Sequence, residues 1–179
     1  MSKDNRLDKD HYYINIAIDL LKRSTCLRRR FGALIVKNDE IIATGYNGAP
    51  RKTMSSLDYG WCWREKHNIP HGKNYELCRS VHAEQNAIIQ AARKEMLGST
   101  LYIAGENADH TICDAFPCVV CVRMIINAGI ERLVYRAEDG TLKEEFPQRD
   151  WKDDDFLVVG KYKYCLLYTS DAADELDGV

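Results

Sequence analysis

The chain has 179 residues, 45% of them apolar and 29% charged, with a formal charge of −2; this suits one globular domain with a substantial core and makes a second domain unexpected. The near-neutral balance gives no electrostatic footprint for a polyanion, so nucleic acid is not an expected partner, although Arg28, Arg29 and Arg30 form a local basic cluster. The opening MSKDNRLDKDH lacks the apolar stretch of a secretory signal, and no later run approaches the roughly 18 apolar residues of a membrane span, so a cytoplasmic location without a membrane partner is expected.

In chain order, HYYINIAIDLLKRST spaces Tyr13, Ile16, Ala17, Leu20 and Leu21 at helical intervals, which predicts a helix with one buried stripe ending near Thr25. Two β-rich runs follow at 33–36 and 41–45, joined by Lys37, Asn38, Asp39 and Glu40, and read as an antiparallel hairpin. Residues 47–79 show no clean period. An ordered domain rarely carries so long an excursion without a function or an anchor. Beyond it the pattern becomes regular: a helix from Ala83 to about Lys94, a strand at TLYIAG, a helix over 118–128 and a strand at ERLVYR, the last three forming a parallel βαβ unit. The result is an α/β fold, a mixed sheet sandwiched by helices. The last stretch, CLLYTSDAADELDGV at 165–179, resembles the translation of a sequencing-library adapter read to a chance stop codon, with an evolved acidic tail as the alternative. It is set aside as a non-native tail, leaving 1–164 as a single domain; without its four carboxylates the remainder is slightly basic.

Seven cysteines, an odd number without a secretory signal, read better as metal ligands or free thiols than as disulfides. Two of them stand in FPCVVC, where Pro117 can occupy a first helical turn and Cys118 and Cys121 lie three apart on one helix face. A helix N-terminus favours the thiolate that zinc requires. His82, at the head of HAEQNAIIQAA, supplies a third ligand from a second helix start. Three protein ligands leave a tetrahedral zinc one open position for water, the mark of a catalytic rather than a structural site, and the metal brings that water towards hydroxide at neutral pH. Glu84, two residues beyond His82, is placed to shuttle protons for it. Gln85 and Asn86 are read as supports for helix and sheet. An isolated H-x-E is usually surface decoration and an isolated C-x-x-C a structural half-site or redox pair; both together at two helix starts point to a catalytic centre.

This H-x-E…P-C-x-x-C order resembles the zinc nucleobase deaminases. With RSTC, FGALIV, GYNGAP, CRSVHAEQNAI and PCVVCVRMIINAGIERLVY, over about residues 11–136, the chain resembles the deoxycytidylate (dCMP) deaminase family within the cytidine and deoxycytidylate deaminases. The resemblance implies a three-layer αβα sandwich around a five-stranded mixed sheet, and a homo-oligomer, often a hexamer. It also implies hydrolysis of dCMP to dUMP and ammonia by zinc-bound hydroxide, with Glu84 as proton shuttle, supplying dUMP for thymidylate synthesis.

From the same resemblance, Asn47 in GYNGAP faces a sugar hydroxyl, with Gly45 and Gly48 permitting a tight turn; Ser24 and Arg28 face the phosphate. Ala83 offers its N–H to the pyrimidine carbonyl, and main-chain groups near Phe116 and Pro117 orient the amine. Some relatives carry a second, structural zinc that pins the excursion; its candidate ligands here are Cys26, Cys62 and Cys78, with His67 or His71, although Ser55 and Ser56 stand where several relatives have His-Cys. Trp61 and Trp63 either cover the site or fill core beneath the loop. Two rivals remain: another zinc deaminase, acting on tRNA adenosine or a riboflavin-pathway pyrimidine, and a non-catalytic zinc module that binds a partner. The weak charge and PCVVCVRMIINAGI oppose the RNA editor, and the retained Glu84 opposes the module.

Overall fold

The computed structural model describes residues 6–70, 74–153 and 157; His71 and the 165–179 tail lie outside them. Asp8 caps the first helix, α1 (Lys9–Leu21), its carboxylate accepting from the His11 N–H at 3.0 Å. The helix ends at Leu21, earlier than its spacing predicts, because Ser24 and Thr25 are drawn off to Asn47: the Ser24 hydroxyl donates to Asn47 Oδ1 and the Thr25 N–H to its carbonyl. The buried stripe is Tyr13, Ile14, Ala17 and Leu21, with Ile16 and Leu20 packed at its margin.

The hairpin forms as expected, as β1 (Arg29–Lys37) and β2 (Glu40–Tyr46), both longer than the apolar runs that signal them. The excursion carries two single-turn helices, α2 (Ser56–Tyr59) and α3 (Trp63–Lys66), and a 3-10 turn at Tyr75–Leu77. Helix α4 (Ala83–Gln90) stops short of Lys94. Ala91 is extended, and a separate turn, α5 (Arg93–Met96), begins where Glu95 accepts from the Ala92 N–H and the buried Met96 enters the core.

Then come β3 (Thr100–Asn107), α6 (Val119–Ala128) and β4 (Arg132–Arg136), the expected βαβ unit. A fifth strand, β5 (Leu142–Glu145), and a last turn, α7 (Pro147–Asp150), escape the periodicity: LKEE is a charged edge strand, the kind that resists pairing with a further chain.

The strands lie in the order β2-β1-β3-β4-β5, parallel only between β3 and β4. Alternate residues face opposite sides. Leu34, Val36, Tyr102, Ala104 and Val134 pack against α1, while Ala33, Ile35, Leu101, Ile103, Leu133 and Tyr135 pack against α4, α5 and α6 with the fully buried Trp151. The fold is therefore the three-layer sandwich with five strands that the resemblance implies. Among the described residues no helix is long and apolar enough to cross a membrane.

Candidate metal centre and its cavity

Helices α4 and α6 lie on the same face of the sheet, and each is preceded by a ligating residue in the capping position, His82 and Cys118. Pro117 therefore stands one residue before the cap of α6 rather than in its first turn. His82 is held at the backbone by Gln85, whose Oε1 accepts the His82 N–H at 2.9 Å, and Asn86 donates to the Tyr46 carbonyl at 2.8 Å, so both act as the supports they were read to be. Gly45 lies within β2, where an added Cβ would sit 2.2 Å from the Ala83 carbonyl: this glycine serves the close approach of α4 rather than a turn. Gly48 likewise pairs with Val81 in an antiparallel bridge and leaves no room for a side chain beside Thr25.

His82 Nδ1 lies 3.4 Å from Cys118 Sγ and 3.4 Å from Cys121 Sγ, and the three ligand atoms all fall within 4.8 Å of one another. Zinc bonds of about 2.1 Å to nitrogen and 2.3 Å to sulfur at a tetrahedral angle separate N and S by about 3.6 Å, so the donor set fits this ion closely. Two sulfurs with an imidazole also suit its borderline softness. Without the ion, the thiols share one labile proton. The Cys118 thiol is pulled down to about 4 by its hydrogen bond with Cys121 and by His82, while Cys121 is pushed well up by that same bond. Burial opposes protonation of His82, yet the Cys118 thiolate beside it outweighs burial and holds its pKa at about 9. A cation is what this thiolate pair calls for.

Glu84, the second residue of α4, is buried beside the trio, and burial pushes its carboxyl above the usual range. His82, Glu84 and Cys118 form one wall of a cavity of about 360 Å³, within the size range of small-molecule sites; Cys121 is fully buried and does not line it. Ala83, Phe116, Arg28, Arg29 and Asn47 also line the cavity, and the excursion supplies Trp63, Arg64, Tyr75, Arg79 and two cysteines, Cys62 and Cys78.

The other expected residues are brought in unequally. Arg28 is in the wall, with its Nε 3.4 Å from Glu65 Oε1. Asn47 is in the wall too, but its side chain knits the chain together: Oδ1 accepts from the Phe31 N–H at 2.8 Å and the Ser24 hydroxyl at 2.7 Å, and Nδ2 donates to the Arg29 carbonyl at 2.8 Å. Ser24 is buried behind it and does not line the cavity. Cys26, Cys62 and Cys78 line the same cavity, and burial, with the neighbouring Cys78 and Cys62, raises the Cys26 thiol. Among the described residues they form no cluster as tight as the His82 trio. His67 instead stacks on Trp63 at 4.2 Å, and Ser55 caps α2. Trp63 faces the cavity in part and is not core.

Sequence reasoning missed Arg64, only 5% exposed, and Tyr75, whose ring meets His82 at 5.7 Å. WREK reads as an ordinary polar run, and no local signal marks one of its charges as buried.

Residues 7–137 match the family model described as the cytidine and deoxycytidylate deaminase zinc-binding region. The deoxycytidylate deaminase of Schizosaccharomyces pombe is 36% identical over 126 residues, covering 70% of this chain and 36% of that protein. One from a Mycobacterium phage is 35% identical over 139 residues, covering 75% of this chain and 98% of the relative. The chain thus spans about a third of the yeast relative and nearly all of the phage one. Among solved structures, the dCMP deaminase of cyanophage S-TIM5 in complex with dCMP and dUMP is similar, with a TM-score of 0.52 at 28% identity over 75% of this chain and 90% of that one.

Proposed function

The chain belongs to the cytidine and deoxycytidylate deaminase family, and from that premise we propose that it hydrolyses dCMP to dUMP and ammonia, supplying dUMP for thymidylate synthesis in the cytoplasm as a homo-oligomer. The observation that carries this reading is the buried Glu84 beside a His82–Cys118–Cys121 trio of zinc-binding dimensions, with His82, Glu84 and Cys118 lining one cavity. The named relatives supply the choice of substrate.

When bound to the trio, zinc supplies a Lewis acid with an open position at which water is activated. Glu84 would take one proton from the attacking water and pass it to N3 of the cytosine ring as the water oxygen bonds to C4, and would then move the proton of the new hydroxyl to the 4-amino group, so that the C4–N bond breaks and ammonia leaves. Burial holds its carboxyl above the ordinary carboxylate range, and a carboxyl group in that position can both take up and return a proton. Ala83 and Phe116 line the cavity; in this reading the Ala83 N–H goes to the pyrimidine carbonyl and the main chain near Phe116 and Pro117 orients the amine. Arg28 meets the phosphate with its guanidinium, exchanging its partner Glu65 for a dianion. Asn47 retains one amide N–H for a sugar hydroxyl, and Ser24 contributes by fixing Asn47 rather than by touching the ligand.

The test is purified, zinc-loaded protein offered dCMP, CMP, cytidine and a tRNA anticodon stem, with ammonia and the uracil product measured. Release from dCMP in preference to the others supports the proposal, and release from tRNA alone overturns it. Zinc content per chain in the same sample distinguishes one ion from two, and light scattering gives the number of copies.

A further inference from the structure

We infer that Arg64 and Tyr75 brace the ring of His82, so that the long excursion sets how firmly the centre holds its ion; the inference rests on reading His82, Cys118 and Cys121 as a zinc centre. Arg64 belongs to α3 and is 5% exposed. A guanidinium so buried must recover its lost hydration from partners. It does so with two carbonyls, donating from Nη1 to Asn74 at 2.6 Å and from Nη2 to Pro70 at 2.7 Å, and with the face of Tyr75 at 5.3 Å. One planar fork thus holds the carbonyls of both Pro70 and Asn74, a geometry that the point charge of a lysine does not match. Asn74 is left-handed at φ 48°, a conformation asparagine adopts more readily than most L residues. The next residue, Tyr75, sets its ring against His82 at 5.7 Å and 79°, edge to face.

The brace matters because Nδ1 faces both sulfurs, and rotation of the imidazole would carry it away from them. Ligating histidines are usually locked by a hydrogen bond at the other ring nitrogen. Among the described residues Nε2 of His82 has no such bond, and the Gln85 contact holds main chain only. The ring's orientation therefore falls to packing, and Tyr75 meets it edge to face. Arg64 and Tyr75 act on the centre through His82, which makes them positioning residues.

The test compares the wild type with Arg64→Met, Arg64→Lys, Tyr75→Leu and Tyr75→Phe by two readouts. One is the rate of zinc transfer to a chromophoric chelator; the other is the visible spectrum with cobalt(II) in place of zinc. Arg64→Met and Tyr75→Leu are expected to release zinc on the order of tenfold faster and to show a weakened or displaced cobalt band. Arg64→Lys should behave like Arg64→Met, because charge without the fork does not hold both carbonyls. Tyr75→Phe should follow the wild type, because the ring is kept. Wild-type release and spectra in Tyr75→Leu overturn the brace, even if Arg64→Met differs, and so does a Tyr75→Phe as leaky as Tyr75→Leu. If Arg64→Met does not fold, the two Tyr75 variants decide alone. A wild-type chain that takes up no zinc overturns the metal centre itself; one that binds zinc without turning over dCMP overturns only the proposed activity.

Discussion

Asp10 and Glu84 lie on opposite faces of one sheet, and their surroundings treat the same functional group in opposite ways. On the α1 face, Arg132 grips both oxygens of Asp10 at 2.9 and 2.7 Å and the Tyr102 hydroxyl donates at 2.9 Å, so the carboxyl is held below its usual range. On the α4 and α6 face, Glu84 is buried beside two thiols, and burial pushes its carboxyl up. One face spends its polar groups on closure and the other leaves a buried acid facing a cavity. The contrast implies that stability and chemistry can be disturbed separately, a claim open to test at four points.

The largest effect is expected at the trio. Cys118→Ser removes a sulfur that a cation needs, so zinc content should fall to a small fraction of one per chain and turnover should vanish. Metal analysis with an activity assay checks both, and full zinc occupancy in this variant would sink the assignment. Next comes Glu84→Gln, which keeps the shape of the side chain but cannot carry a proton. Metal should stay, while turnover drops by about 10²–10⁴. Unchanged turnover would remove Glu84 from the chemistry and weaken the contrast with Asp10 at its centre.

Asn47→Ala probes the seam between cavity and framework. It strips partners from the Phe31 N–H, the Arg29 carbonyl and the Ser24 hydroxyl at once. Leaving such groups unpaired costs about 2 kcal/mol or more, which for a chain of this length lowers Tm by about 5 °C. Calorimetry should show that loss, together with a raised KM for dCMP. A raised KM with an unchanged Tm would return Asn47 to the purely substrate-facing role that the resemblance implies.

How much of this was legible in the sequence follows the same division between local and distant contacts. His82, Glu84, Cys118 and Cys121 could be placed because the H-x-E and P-C-x-x-C runs mark two helix starts, with Cys118 and Cys121 three apart on one face, and together match a known signature. The hairpin and the βαβ unit were legible from local patterning too. Strand β5 was not, because LKEE gains its place from pairing with β4 and carries little strand preference of its own. The break of α4 at Ala91 was hidden because its cause, the burial of Met96 and the grip of Arg93 on the Asn127 carbonyl, lies across the fold. Trp151, fully buried against Phe116 at 5.3 Å, was overlooked in a charged stretch. The excursion was the least legible region, since Arg64 holds it through carbonyls that carry no mark of residue type.

The smallest effect is expected on the α1 face, where pH rather than catalysis is the probe. Because Asp10 has a lower pKa folded than unfolded, the unfolded chain binds more protons as acid is added, and stability must fall with pH. The contribution of the Asp10–Arg132 pair is therefore present above the unfolded value near about 4 and is lost as pH drops through the folded one. Asp10 is 34% exposed in its side chain, so solvent screening limits the pair to roughly 1 kcal/mol or less. Asp10→Asn should consequently melt slightly below the wild type at pH 7, and the two melting curves should converge towards pH 3 at constant ionic strength. Any zinc released by acid is lost from both proteins and cancels in the difference. The same substitution should leave zinc content and dCMP turnover at wild-type values, since nothing in the Asp10 cluster reaches the cavity. A gap that widens as pH falls would contradict the lowered pKa, and a loss of zinc in Asp10→Asn would show that the two faces are not independent.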